Sequence, residues 1–214
     1  RNTSTGAKEL ELWQTNFDED IFITKKENGK WSTPKNIGSQ INTIDHDATT
    51  AVAPDGQNMI LYKGTNEGDL YECKLTGDIW SKPKKMNKFI NTKYKESSAS
   101  YSSDGKTLYF VSNKPDGFGN LDMYKTKWDE TKKDWGEAQN LGATLNTEHD
   151  EEAVFFHPDG KTLYFSSRGH ETMGNYDVFK STINDDGTWG KPENMGYPIN
   201  TVDDDVFFVI NGSG

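Results

Sequence analysis

Four acidic residues recur at one position of the chain, eight residues before an Asp-Gly pair or its counterpart. They are Asp47, Glu96, Glu151 and Asp205. Carboxylate oxygens are ligands that Ca²⁺ prefers, so these residues, together with Asp203 of the run at 203–205, are candidate metal ligands. The alternative is that each carboxylate accepts hydrogen bonds from backbone N–H groups or a neighbouring serine. Recurrence in every copy favours the structural role, and no cofactor is expected apart from this Ca²⁺ candidate.

The other reactive residue types form no recognised catalytic set in the sequence. His46 aligns with Asp150 and not with His149, so the repeats share no histidine that could build a zinc site. No Gly-x-Ser-x-Gly motif is present. A sialidase typically holds its substrate with three arginines, and this chain has only Arg1 and Arg168. We therefore predict that the chain is not an enzyme. The open alternatives are a carbohydrate-binding module and a glycan-active propeller enzyme that uses two carboxylates.

The acidic positions belong to a repeat of about 50 residues. Trp31, Trp80, Trp135 and Trp189 are 49, 55 and 54 residues apart. An Ile/Leu-Asn-Thr phrase recurs with the same spacings, starting at residues 41, 90, 145 and 199. Asp-Gly pairs follow at 55, 104 and 159. This period is typical of four-stranded propeller blades and not of helical solenoids.

Each repeat contains the pattern of an antiparallel sheet. The Asp-Gly pair is a hairpin signal, and a β-branched and aromatic run follows it at 106–112 and 161–167. A third strand begins at a recurring aspartate, which we expect to satisfy backbone donors of the preceding loop: Asp20, Asp69, Asp122 and Asp177. The tryptophan phrase supplies the outer strand. We therefore predict an all-β propeller of four-stranded antiparallel blades with almost no helix, whose inner strands line a central channel.

The repeat register predicts how the blades divide a single region spanning residues 1–214. Residues 1–38 form a partial blade, 45–88, 94–142 and 149–196 form whole blades, and 202–214 form the inner strand of a further blade. Such an arrangement favours a fragment of a larger propeller. The alternative is a small closed four-bladed ring, which would lack a strand and leave an unpaired edge.

The six tryptophans divide into two groups. We expect the four repeated ones to pack between blades, because stacking is what buries the aromatic faces of such sheets. Trp13 and Trp128 lie outside the repeat, in predicted loops, and are candidates for an exposed contact. The loops at 117–120 and 169–174, between second and third strands, are the segments most suited to carry function.

Charge and hydropathy exclude several classes of partner. The net charge is −10, so a nucleic acid would be repelled and none is expected as a partner. Mean hydropathy is −0.90, and no apolar run approaches the ~20 residues of a membrane helix, so no direct membrane insertion is expected. The single cysteine, Cys73, forms no internal disulfide.

The repeat resembles a known family. Residues 158–168 read Pro-Asp-Gly-Lys-Thr-Leu-Tyr-Phe-Ser-Ser-Arg, 175–180 read Asn-Tyr-Asp-Val-Phe-Lys, and 189–196 read Trp-Gly-Lys-Pro-Glu-Asn-Met-Gly. These phrases resemble the WD-repeat-like, TolB-type propeller of Bacteroidetes cell-envelope proteins, including OmpA-like and type IX secretion-associated members. Residues 57–60 depart from the pattern, with Gln-Asn-Met-Ile in place of Lys-Thr-Leu-Tyr.

The resemblance implies a location and a role. It implies a periplasmic propeller associated with the outer membrane, which binds envelope proteins or a peptidoglycan-linked partner. The expected function is therefore non-catalytic binding or scaffolding.

Overall fold

The computed structural model describes residues 20–43, 47–64 and 67–212, and every regular element in these ranges is a β-strand. None of their segments forms a helix that is long and apolar enough to cross a membrane. The strands group along the chain into four successive units, which we call blades 1 to 4. The all-β prediction is confirmed.

Blade 1 consists of two short antiparallel pairs, and blades 2 to 4 each have three long strands and short outer pieces. The strands of blade 1 are β1 (Phe22–Ile23), β2 (Lys26–Glu27), β3 (Lys30–Trp31) and β4 (Lys35–Asn36). Those of blade 2 are β5 (Asp47–Val52), β6 (Asn58–Lys63), β7 (Asp69–Thr76), β8 (Ile79–Trp80) and β9 (Lys84–Lys85). Those of blade 3 are β10 (Glu96–Tyr101), β11 (Thr107–Ser112), β12 (Asp122–Asp129), β13 (Asp134–Trp135) and β14 (Gln139–Asn140). Those of blade 4 are β15 (Glu151–Phe156), β16 (Thr162–Ser167), β17 (Asp177–Thr182) and β18 (Glu193–Asn194).

The strands of each blade pair in sequence order from an inner to an outer edge. Blade 3 has the order β10-β11-β12, and β13 and β14 both pair with β12. The outer strand is thus split in two. In three of the blades a proline, at 34, 83 or 192, lies at the break and has no N–H to donate, whereas blade 3 has the same break with Ala138 at this position. Each inner strand also carries a register shift, as between Glu96 and Ala99 in β10.

The hydrophobic core lies between neighbouring blades as three clusters. Met59, Leu61 and Trp80 of blade 2 pack with Ile21 and Ile37 of blade 1. The other two clusters join blade 2 to blade 3 and blade 3 to blade 4 in the same way. Since each sheet buries its apolar faces only against its neighbours, the blades form one continuous stack.

The Ile/Leu-Asn-Thr phrase links each blade to the next. The side-chain amide of Asn146 accepts a hydrogen bond from the Met123 backbone N–H at 2.8 Å and donates one to the Met123 carbonyl at 3.0 Å. Asn42, Asn91 and Asn200 make the same pair of bonds to the second residue of their own blade's third-strand segment. Each asparagine side chain therefore bonds to the third-strand segment as the backbone of an additional strand would. We call this pair of hydrogen bonds the asparagine latch.

After blade 4, residues 201–212 form no assigned strand. The Asp205 backbone N–H donates to the Tyr176 carbonyl at 2.8 Å, as the Glu151 N–H donates to the Leu121 carbonyl at 2.8 Å. Phe208 then packs on Tyr164 of blade 4, with ring centroids 5.0 Å apart. The segment occupies the place of a further inner strand. The blade boundaries given from the sequence remain a prediction.

Candidate functional site

The recurring acidic residues of blades 3 and 4 are fully buried and surrounded by hydrogen-bond donors. The Glu151 carboxylate accepts from the Thr147 backbone N–H at 2.9 Å, the Thr147 hydroxyl at 2.7 Å and the Ser167 hydroxyl at 2.8 Å. Glu96 has equivalent bonds from Thr92 and Ser112 at 2.9–3.1 Å. These bonds are those of the structural alternative, and they fix the start of each inner strand.

The other metal candidates have different surroundings. Asp47 is buried and forms an ion pair with Lys63, which replaces the serine of the other blades and also donates to the Ile41 carbonyl at 3.0 Å. Asp205 is half-buried and bonded to Thr201, whereas Asp203 is exposed. Within the described ranges, no three His, Cys, Asp or Glu side chains come together as a group that could hold a metal ion.

The acids of neighbouring blades approach one another at each junction. Burial raises the pKa of Glu151 to about 7, and the negative charge of Asp122, from the preceding blade, adds to the shift. Burial likewise raises the pKa of Glu96, with a smaller contribution from Asp69. A carboxyl group with a pKa near 7 is suited to proton transfer, but the Glu151 side chain is enclosed by protein. Its chemistry is therefore that of an internal hydrogen-bonding group.

In blades 3 and 4 the aspartate that begins the third strand holds the preceding loop, whereas Asp69 pairs with Lys85 and Asp20 accepts from the Asn36 side chain. The Asp122 carboxylate accepts from the backbone N–H groups of Phe118 at 2.8 Å and Gly119 at 3.3 Å. Asp177 accepts from Met173 at 2.7 Å and Gly174 at 3.2 Å in the same way. Both aspartates are fully buried, and the loops are fixed by these hydrogen bonds.

Each fixed loop presents a large apolar side chain to solvent. Phe118 is 53% exposed and Met173 is 51% exposed, and the two occupy equivalent positions, four residues before the aspartate. The glycine after each one lies against the following connector. A Cβ on Gly119 would stand 2.1 Å from the His149 carbonyl oxygen, and one on Gly174 would stand 2.4 Å from that of Asp203. We call the surface made by loops 113–121 and 168–176 and these connectors the loop face.

A polar hollow of about 430 Å³ lies on the loop face between blades 3 and 4. Arg168 crosses it, with its guanidinium 3.3 Å from the Asp150 carboxylate and 2.9 Å from the Asn175 side-chain oxygen. The same guanidinium stacks over the ring of Tyr176 at 5.2 Å. The loop face thus combines exposed apolar residues with an ordered polar depression, a composition suited to recognition. Sequence reasoning identified these loops but not Phe118, Met173 or Arg168, because their role depends on which loops adjoin in space.

The burial and location of the tryptophans differ in part from the prediction. Trp80, Trp135 and Trp189 are buried against the preceding blade, as expected, but Trp31 is 67% exposed. Blade 1 has no preceding blade in the described part of the chain, so its tryptophan has no surface to cover. Trp128 lies in β12 and not in a loop; it is half-buried and meets Trp135 edge-on at 5.4 Å. Trp13 lies outside the described residues.

Comparison with solved structures decides the fold. A structure of the nidogen/laminin complex matches with a TM-score of 0.54 and 12% identity, over 86% of this chain and 60% of that chain. TolB from Acinetobacter baumannii matches with a TM-score of 0.51 and 15% identity, over 79% of this chain and 37% of that one. The chain is a TolB-like β-propeller in fold. It spans less than two thirds of either protein. Neither a scan of protein-family models nor a search of curated sequences gives a match.

One further comparison corrects a prediction. Puromycin hydrolase matches with a TM-score of 0.50 and 9% identity, over 81% of this chain and 27% of that chain. From the sequence we predicted that the chain is not an enzyme. That prediction is wrong, because propellers of this kind occur in a hydrolase as well as in TolB. At such low identity the likeness concerns the fold alone.

Proposed function

We propose that the chain is a binding and scaffolding propeller of a bacterial cell-envelope protein, which recognises a protein partner through its loop face. The repeat phrases resemble those of periplasmic, outer-membrane-associated propellers, and the fold is that of TolB. The observation that carries the proposal is the equivalent placement of Phe118 and Met173. Neighbouring blades hold an exposed apolar side chain at the same position on loops that buried aspartates fix.

Two features make this surface suited to a protein partner. Large exposed apolar side chains beside ordered polar groups are typical of protein-binding surfaces, in which a few residues provide most of the binding energy. Loops that are already fixed also lose little conformational entropy on binding. A peptidoglycan-linked partner in the same compartment would contact the polar hollow around Arg168 and Asp150.

The test replaces both apolar residues and follows capture of envelope proteins. We expect the Phe118→Ser, Met173→Ser double variant to retain wild-type thermal stability but to lose about tenfold or more in affinity for the captured partner. Affinity is measured by titrating the purified partner, once identified from an envelope extract by cross-linking to the wild-type chain. Co-sedimentation with purified sacculi tests the peptidoglycan-linked alternative.

The control is Ile79→Ser, because Ile79 is 69% exposed at the opposite end of the blades, as the first residue of β8 after the turn that follows β7. This variant should bind the partner as the wild type does. Equal binding by the double variant, or an equal loss in the control, would contradict a specific role of the loop face.

A further inference from the structure

A second candidate site lies away from the loop face, between blades 2 and 3. It is a cavity of about 340 Å³ near the Asp-Gly turns, lined among others by Glu72 and Lys74 of β7 and by Tyr101, Trp128 and Trp135 of blade 3. An adjoining hollow of about 280 Å³ shares Glu72, Lys74, Trp128 and Trp135. Together they form a groove along the indole of Trp128.

The departure from the repeat at residues 57–60 lies at this junction, and Asn58 lines the first hollow. Ile60 pairs with Glu72 in blade 2, as Tyr109 pairs with Lys125 in blade 3, so the two occupy equivalent positions. Between blades 3 and 4 the Tyr109 ring stacks on Phe156 at 4.8 Å and meets Trp189 edge-on at 6.2 Å. Ile60 brings no ring to its junction; it is buried in the cluster that contains Tyr101 and Trp135, beneath the walls of the two hollows.

The wall is aromatic and its rings are held in place. The Trp135 indole lies 6.0 Å from the Tyr101 ring and 5.4 Å from the Trp128 indole, which it meets at 76°. Trp128 is half-buried, so this packing fixes its orientation while part of its surface stays open to the groove. The equivalent residue in blade 4 is Ile183, which pairs with Trp189 as Trp128 pairs with Trp135. The aromatic platform is thus particular to this junction among the described blades.

Two polar atoms of the wall have no partner. The Tyr101 hydroxyl and the Trp135 indole N–H are buried without a hydrogen bond within the described structure, in side chains only 7% and 5% exposed. The indole N–H requires an acceptor, and the tyrosine hydroxyl can both donate and accept. Leaving such groups unsatisfied is costly, by about 1–3 kcal/mol each. A ligand with hydroxyl groups would satisfy both.

The charges around the groove are balanced. The two hollows are lined by five carboxylic residues and five lysines in the described part of the chain. Glu72 stands 4.0 Å from Lys74, and Glu130 stands 3.6 Å from Lys106. A cationic ligand would meet the lysines and an anionic one the carboxylates, so a neutral ligand is favoured. The same ion pairs offer donors and acceptors to a polyhydroxylated molecule.

We propose that the groove along Trp128 is a carbohydrate-binding site, in which a sugar ring stacks on the indole and its hydroxyl groups bond to the polar residues of the wall. Aromatic stacking provides apolar contact for the C–H face of the ring, and a few polar groups fix its orientation. The site is separate from the loop face, and a protein partner bound there would leave it open.

The test titrates the chain with neutral oligosaccharides of three sugar units, namely chitotriose, cellotriose, maltotriose and xylotriose, and follows tryptophan fluorescence and calorimetric heat. At least one of them should bind to the wild type. The Ile60→Tyr variant gives blade 2 the residue that fills the junction in blade 3, and Trp128→Ile gives blade 3 the residue of blade 4. Each should weaken binding by about tenfold or more, and circular dichroism at the assay temperature checks that both variants are folded.

Trp31→Ile is the matched control, because Trp31 is exposed and distant from the groove; it should bind as the wild type does. Choline and citrate serve as cationic and anionic probes. The inference is overturned if none of the four oligosaccharides binds, if choline or citrate binds in their place, or if both groove variants bind like the wild type. The Phe118→Ser, Met173→Ser variant should retain sugar binding, so failure of the loop-face proposal is distinguishable from failure of this one.

Discussion

At the residue scale, one acidic position serves a common structural purpose with different local chemistry. In blade 2 the carboxylate of Asp47 is neutralised by Lys63. In blades 3 and 4 the lysine is replaced by Ser112 and Ser167, which donate hydrogen bonds but bring no charge. Burial then disfavours the ionised form, and the pKa of Glu151 rises to about 7. Blade 4 therefore contains a titrating group where blade 2 contains an ion pair.

This difference predicts a pH-dependent stability. The unfolded chain has its Glu151 pKa near 4.5 and the folded chain near 7, so the fold favours the protonated form. Its contribution is fully present below pH ~4.5 and is lost as the pH rises through ~7. We expect the free energy of unfolding of Glu151→Gln, relative to the wild type, to increase by up to about 3 kcal/mol between pH ~4.5 and ~8 in urea titrations.

Glu148→Gln is the control for this measurement, because the Glu148 side chain is exposed three residues away. Its stability relative to the wild type should not change over the same pH range. A difference between Glu151→Gln and wild type that is constant with pH would show that folding does not raise the pKa of the Glu151 carboxyl.

At the element scale, blades are joined by side chains as well as by packing. In the asparagine latch, one side-chain amide bonds to both the N–H and the carbonyl of one backbone residue. A short connector thus forms the kind of bonds that two paired strands form. The threonine that follows caps the acidic residue of the next inner strand. Asn146 thus bonds to blade 3 and the adjacent Thr147 bonds to blade 4, so the phrase joins two successive blades.

Removing one latch should destabilise the whole stack. Asn146→Ala leaves the Met123 N–H buried without a partner, whereas the Met123 carbonyl keeps its bond from the Leu141 N–H at 3.0 Å, so we expect a loss of about 1–3 kcal/mol in the free energy of unfolding. Asn120→Ala removes only an exposed hydrogen bond to Asp150 and should cost less than about 1 kcal/mol. Urea denaturation of both variants checks the contrast. Equal losses would mean that the latch contributes no more than a surface contact.

The sequence predicted the elements well and the candidate sites less well. The repeat of tryptophan, Ile/Leu-Asn-Thr and Asp-Gly phrases fixes the order of strands, because each phrase has one local conformation. It does not show that the outer strand is split in two, since the tryptophan phrase as a whole is compatible with one strand. The groove at Trp128 was not predictable, because its walls come from residues of two different blades, although the departure at residues 57–60 was visible.

At the scale of the whole molecule, the stack has a direction. Every buried tryptophan covers the blade before its own: Trp80 packs with Ile21, and Trp189 packs with Tyr109. The first described blade therefore leaves its tryptophan uncovered, and Phe22 is exposed near it. The prediction that all four repeated tryptophans pack between blades fails at Trp31 for this reason.

The direction of stacking predicts unequal effects of the same substitution. Trp189→Ala removes a buried indole and should cost about 3–5 kcal/mol of unfolding free energy. Trp31→Ala removes an exposed one and should cost less than about 1 kcal/mol. Thermal unfolding followed by circular dichroism compares the two. A large loss in Trp31→Ala would show that another part of the protein covers this indole.

The asparagine latch also has a consequence for how such a protein can change. The bonds of its asparagine reach the second residue of the third-strand segment and an asparagine of the outer strand, whereas the loops at 113–121 and 168–176 leave the stack just upstream. Insertions or substitutions in those loops alter the recognition surface without shifting the register of any junction. Descendants of one scaffold can thus acquire new partners through loop variation while their interior remains the same.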